Sequence, residues 1–276
     1  MPMTMDEAVL WLRQNPRFAD YLRNSYLETD TRSCAERFRQ SGEFAEVRRI
    51  AGDSAKGVVL DLGAGNGIAS YAFAMNEARL VCALEPDPGE NAGRGAIHRL
   101  TEGLAVEVID GWGEEIPLLS NSVDMVYARQ VLHHTRDLRQ VLRECARVLK
   151  RGGAILGCRE HVVDNDAQLR SFLRQHPIHQ LLGNESAFRL EEYLNAIRLA
   201  GIELKGVFGP WDSVINAFPG VVAQADLEYY PIRFLQRHLG AAGTWLGKRQ
   251  LVRRMVWRWL KRPVPGRLYT FLGVKS

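Results

Sequence analysis

The chain has 276 residues, 46% of them hydrophobic and 25% charged, a balance that supports an ordinary folded core. No stretch approaches the roughly 20 apolar residues of a membrane-spanning helix, and residues 1–16, with Asp6 and Glu7 and no long apolar run, do not read as a secretory leader. The formal net charge of +4 is unevenly spread: residues 241–276 hold nine Lys and Arg and no acid, leaving −5 on the other 240.

In chain order, residues 5–14 and 16–27 predict short helices and 31–51 a longer one, with Leu10, Trp11, Phe18, Phe38 and Phe44 as apolar faces. From Lys56 strand and helix alternate. Strands are expected at 58–62, 80–85, 105–110, 122–128 and 154–158. Helices are expected at 68–75, 90–100 and 137–149, the last stopped by Lys150-Arg151-Gly152-Gly153. Residues 165–176 predict a helix, 177–186 a loop, 189–200 a helix and 203–208 a sixth strand. A mostly helical insertion follows, and residues 267–274 read as a closing seventh strand. Apolar strands alternating with helices imply an α/β fold, a mostly parallel sheet of seven strands with helices on both faces. The division expected is an N-terminal helical lid (1–55), a core (56–209), a helical insertion capping the substrate (210–265) and a final core strand (266–276). Cys34, Cys82, Cys145 and Cys158 form no CxxC pair and read as reduced thiols of a cytoplasmic protein.

The most informative stretch is VVLDLGAGNG at 58–67. Asp61 ends a strand, Gly63, Gly65 and Gly67 permit a tight turn, and a helix N-terminus follows: a nucleotide-type site. A dinucleotide fingerprint GxGxxG needs glycine at 68, where Ile68 stands, which disfavours an NAD-dependent oxidoreductase.

The GxGxG spacing resembles the first motif of the class I S-adenosylmethionine (SAM)-dependent methyltransferases, and further segments are similar in order. Glu85-Pro86-Asp87 ends the second strand and Asp110-Gly111-Trp112 the third. Residues 116–124 (IPLLSNSVD), 127–134 (YARQVLHH) and 146–153 (ARVLKRGG) resemble the later motifs, with Arg151 where the family has proline. Small-molecule methyltransferases, the quinone C-methyltransferase-like group among them, are nearest in motif style. The resemblance implies a Rossmann-like sheet and SAM as cofactor, with S-adenosylhomocysteine as product. It implies cofactor contacts from Asp61, Gly63, Ala64, Gly65 and Asn66 of the loop, from Glu85 to ribose hydroxyls with Pro86 by the adenine, from Asp110, Gly111 and Trp112 around the adenine, and from Ala128 and Arg129 at the end of the fourth strand. A protein of this ancestry that binds SAM without turnover is the non-enzyme alternative.

Arg129 suits an acceptor carboxylate or phosphate, or an internal acid. His161 and His134 are the candidate general bases, because histidine titrates near neutrality and the carboxyl edge of a parallel sheet is where ligands bind. The double histidine also suits a structural role, and Trp112 suits the core. His176 and His179 lack a third partner for a metal, and no metal is expected. Tyr21, Tyr26, Arg37 and Phe38 are candidates in the lid. The segment 245–262, read as one basic helix, interleaves Trp245, Trp257 and Trp259 with Arg253, Arg254 and Arg258. It reads as a solvated face or as a peripheral contact with anionic lipid; the acidic body argues against specific nucleic-acid binding. The acceptor expected is a small molecule, anionic or amphiphilic, methylated on oxygen or carbon.

Overall fold

Alternate side chains of a strand point to opposite faces of a sheet, so strands that are apolar on both faces must be covered twice. The computed structural model describes residues 3–183 and 186–276. Its strands are β1 (Val58–Leu62), β2 (Leu80–Leu84), β3 (Val106–Ile109), β4 (Val123–Arg129), β5 (Leu149–Val163), β6 (Phe188–Arg189), β7 (Ile202–Phe208) and β8 (Arg267–Lys275). They form one sheet in the order β3-β2-β1-β4-β5-β8-β7, with the two-residue β6 beside β5. Only β8 is antiparallel to its neighbours. The sheet therefore has eight strands where seven were expected, and the extra one is the short pairing of Phe188 and Arg189 with Val162 and Val163.

The period of two is visible in the core. Leu60, Leu62, Cys82, Leu84, Val126 and Ala128 join one buried cluster with the helices Leu138–Val148 and Leu190–Leu199. Val59, Val81, Met125 and Tyr127 join the other, under Thr31–Arg39, Gly42–Ala51 and Ile68–Ala74. Phe38, Phe44, Phe73 and Tyr127 make a chain of tilted or edge-on ring contacts through that second layer, with centroids 5.1 to 5.3 Å apart. The four cysteines are buried and free. Among the described residues no helix is long and apolar enough to cross a membrane.

Several expected boundaries move, each for a local reason. The long helix at 31–51 is two helices, because the Ser41 hydroxyl accepts from the Phe44 amide and donates to the Phe38 carbonyl, capping one helix and closing the other. The fifth strand does not stop at Cys158 but runs to Val163, because Glu160, His161 and Val162 pair with Tyr269, Leu268 and Arg267 of β8 across a register shift. Glu160 and His161 thus lie inside the strand rather than after it. The expected loop 177–186 opens with a helix, Pro177–Leu182; its residues 184 and 185 lie outside the described residues. The basic segment 245–262 is the end of one helix, Tyr230–Gly247, and a second, Gln250–Leu260.

Phe73 is 1% exposed and bridges Phe44 to Tyr127. Phe73→Ala is expected to lower unfolding stability in urea by about 3–5 kcal/mol; a loss under about 1 kcal/mol would contradict that bridging role in the second layer.

Candidate functional site

The carboxyl ends of β1, β2, β4 and β5 open into one cavity of about 1140 Å³, bordered also by residues between Thr4 and Leu27, by His176 to Leu182 and by Leu268. At its first wall β1 turns sharply after Leu62. Gly63 has φ +62°, and a Cβ there would stand 2.8 Å from Val131 Cγ2; Gly65 has φ +57°, and its Cβ direction is open space. Both positions require glycine, the first for packing and the second for a left-handed backbone exposed to the cavity. The loop is tied down at both flanks. The Gly65 amide donates to Glu85 Oε2 (2.8 Å), and the Asn66 side-chain amide donates to the Tyr26 carbonyl (2.7 Å).

Two buried carboxyl groups stand beside the loop. Asp61 is 2% exposed and accepts from the Ser70 hydroxyl at 2.6 Å; burial pushes its carboxyl up to about 6. Glu85, 8% exposed, also accepts from the Asp87 amide (2.9 Å), yet burial pushes it up to about 7 against the pull of both amides.

Asp61, Gly63, Ala64, Gly65, Asn66, Glu85, Pro86, Gly111, Trp112, Arg129, His134 and His161 all border the cavity. Two residues expected there do not. Asp110 turns its carboxylate to Arg94 Nη1 (2.9 Å), a guanidinium that also ties down the carbonyls of Glu85 and Pro86. Ala128 points into the core on the far side of the sheet's pleat. Trp112 is no core residue: it is 56% exposed at the rim, with the Arg136 guanidinium 5.1 Å from its ring centroid. None of the described bordering residues falls in 210–265; from that insertion Val214 and Ile215 are buried against other layers.

The β4–β5 side is a set of fixed charges. The acid facing Arg129 is internal: Nε and Nη2 donate to Glu43 Oε1 and Oε2 at 2.7 and 3.2 Å. Burial pulls the Arg129 guanidinium down, but the Glu43 charge and hydrogen bonds outweigh it and raise it. Glu160 is fully buried. It accepts the amides of Val131, Leu132 and His133 (3.1 to 3.2 Å) and lies 2.7 Å from His133 Nδ1. His161 Nδ1 lies 2.8 Å from the Gly266 carbonyl, which only accepts, so Nδ1 carries a proton there. The rings of His134, His133, His161 and His176 follow one another at centroid separations of 4.3, 4.7 and 5.7 Å. Among the described residues no group of three or more His, Cys, Asp or Glu is arranged to hold a metal.

Sequence reasoning missed Glu43 and Arg159. Arg159 lines the cavity from the middle of β5, with φ +59°. The available signal was a charged pair, Arg159-Glu160, between the apolar stretch Ala154–Cys158 and His161-Val162-Val163. Glu43 carried no signal, because its partner lies 86 residues away.

Residues 60–157 match the family model described as "Methyltransferase domain". The chain carries a class I SAM-dependent methyltransferase domain. Over 115 residues it is 36% identical to the glycine/sarcosine/dimethylglycine N-methyltransferase of Actinopolyspora halophila, covering 40% of this chain and 20% of that protein. Over 158 residues it is 28% identical to a ubiquinone biosynthesis O-methyltransferase of Rhizobium etli, covering 54% and 62%. The chain thus spans less than two thirds of these relatives. The solved geranyl diphosphate methyltransferase in complex with SAM shares the fold at a TM-score of 0.59 and 12% identity, covering 90% of this chain and 92% of that one. The methyltransferase domain spans β1 through most of β5, the strands whose ends build the cavity.

A carboxyl group whose folded value is raised binds more protons folded than unfolded, so its contribution to stability declines as pH rises through the interval. For Glu85 that interval runs from about 4.5 to about 7. Glu85→Gln is expected to gain on the parent by up to ~1.4 kcal/mol per pH unit across it and to level off above, in urea unfolding followed between pH 4.5 and 8. A pH-independent difference would overturn the assignment.

Proposed function

We propose that this protein is a cytoplasmic SAM-dependent methyltransferase. It transfers a methyl group to an oxygen, or an activated carbon, of a small anionic or amphiphilic acceptor, releasing S-adenosylhomocysteine. The observation that carries this reading is the continuity of the cavity. The Gly63–Asn66 loop and Glu85 border it on the β1–β2 side, and Arg129, His134 and His161 border the same space on the β4–β5 side. The relatives support a small acceptor, being named for glycine, sarcosine and dimethylglycine, for ubiquinone biosynthesis and for geranyl diphosphate.

The residues fit the cofactor. The open Cβ direction at Gly65 lets a ligand approach the backbone, and the buried Glu85 carboxylate keeps acceptor capacity beyond its two amides. Glu85 takes the ribose hydroxyls, Asp61 orders the loop at the ammonium end, and Pro86, Gly111 and Trp112 border the adenine. When bound, SAM supplies an electrophilic methyl group on a sulfonium. The chain's own work is to align the acceptor and exclude water. His161, with its proton fixed on Nδ1, has its basic lone pair at Nε2 and takes the proton of a hydroxyl acceptor; His134 is the second candidate. Arg129, held by Glu43, keeps the acceptor side positively charged. The helices before Leu27 form the lid over the core 56–209, and 266–276 closes the sheet.

The insertion 210–265 has a different use on this reading. On the helix Gln250–Leu260 the inward residues include Val252, Val256 and Trp257, while Leu251 (69%), Met255 (64%) and Trp259 (47%) are exposed beside the exposed Arg254 and Arg258. Apolar groups and arginines sharing one outward face suit the surface of an anionic bilayer.

Calorimetry is expected to give saturable S-adenosylhomocysteine binding and no heat with NADH. Glu85→Ala should weaken that binding at least about tenfold, and wild-type binding near pH 6.5 should release protons, because ribose hydroxyls favour the ionised carboxylate. No binding would sink the cofactor assignment. Labelled-methyl release across hydroxyl and carbon acceptors separates an enzyme from a silent binder, and His161→Gln should cut turnover on hydroxyl acceptors by about 10²–10⁴. In vesicle sedimentation, binding to phosphatidylglycerol-containing but not to neutral vesicles is expected, weakened by salt and by Trp259→Ser; its absence at low salt would leave Gln250–Leu260 as a solvated helix.

A further inference from the structure

The wall of the cavity at β5 holds a guanidinium that the chain only half neutralises. Arg159 is 7% exposed and lines the cavity. Nη1 is held by two neutral carbonyls, those of Ile215 (2.6 Å) and Phe218 (2.9 Å). Nε is buried with no hydrogen-bond partner, and Nη2 donates to no described residue. Among the described residues the one carboxylate within ion-pair reach is Glu43, 4.0 Å from Nε, and Glu43 is already engaged by both Nε and Nη2 of Arg129. Asp61, the other acid near this charge, acts on Arg129 and is bonded to Ser70. Burial of a charge is costly unless it is paired, and here two guanidiniums share one carboxylate.

The backbone is strained at the same place. Arg159 sits at φ +59° where the β5–β8 register shifts, and Gln130, at the adjacent end of β4, has φ +56°. A side chain other than glycine in that region costs about 1–3 kcal/mol, and such strain gathers at ligand sites. The strained turn of β5 is what points Arg159 at the cavity.

We propose that Arg159, backed by Arg129, forms an oxyanion subsite that takes a carboxylate, or a group of like charge and shape, from the molecule bound in the cavity. This rests on the methyltransferase reading and narrows its acceptor class. In the sheet order β1-β4-β5, Arg159 lies two strands from the Gly-rich loop, on the acceptor's side. The cofactor's own amino-acid carboxylate is the other source of the same chemistry.

The test titrates sodium acetate, against sodium chloride at equal ionic strength, into the protein alone, into its complex with 5′-methylthioadenosine, which lacks the carboxylate, and into its complex with S-adenosylhomocysteine, which has it. The readout is calorimetry with thermal unfolding in parallel. Saturable acetate binding in all three states assigns the subsite to the acceptor. Binding that survives 5′-methylthioadenosine but is lost with S-adenosylhomocysteine assigns it to the cofactor's carboxylate. In both cases Arg159→Gln should weaken acetate at least tenfold, and Glu43→Gln, which frees a guanidinium, should tighten it several-fold. Arg159→Lys, keeping the charge, serves if the glutamine variant does not fold and should retain part of the binding. Absence of saturable acetate binding in every state, or acetate binding indifferent to both residues, overturns the subsite. The ligand-free titration keeps that outcome distinct from a failure of cofactor binding.

Discussion

Glu160 is the interaction on which the cavity depends. From the middle of β5 its carboxylate gathers three successive amides beyond the end of β4, together with the His133 ring. A buried carboxylate needs such partners to remain buried. In meeting that need it fixes the turn Leu132–His134 and sets Val131 against Gly63, so the ends of β4, β5 and β1 are held in one relation. Loss of this carboxylate leaves three amides to be satisfied by water in a dry place, which is why a single group has leverage over three strands.

The electrostatics of the cavity follow from the same dryness. On the β1–β2 side burial raises Asp61 and Glu85 toward neutrality, so these carboxyl groups are poised to gain from a ligand that donates hydrogen bonds or brings positive charge. On the β4–β5 side arginines outnumber the acid paired with them. A ligand positive at one end and anionic at the other would match both walls without either needing to move.

The second layer of the sheet has a role beyond stability. Thr31–Arg39 and Gly42–Ala51 pack as core under β1 and β4, and the second of them delivers Glu43 to Arg129. Part of the N-terminal region is therefore structural wall rather than cover, and the part that borders the cavity ends at Leu27.

The sequence by itself determined the strand–helix alternation, the Gly-rich turn after Asp61, and the placing of Glu85 at the end of β2. These are local matters: hydrophobic period, glycine's left-handed backbone and short spacing along the chain all act within a few residues. It also marked His134, His161 and Arg129 as residues near a strand's carboxyl end. Only the tertiary structure decided what those side chains meet. Glu43 reaches Arg129 across 86 residues, Glu160 reaches His133 across 27, and the extension of β5 depends on β8, more than a hundred residues further on. The ion pair of Asp110 with Arg94, which comes from a neighbouring helix, is likewise a matter of packing. Pairings of buried charges are chosen by which elements are packed together, and that choice is made by the whole sheet rather than by any stretch of the chain.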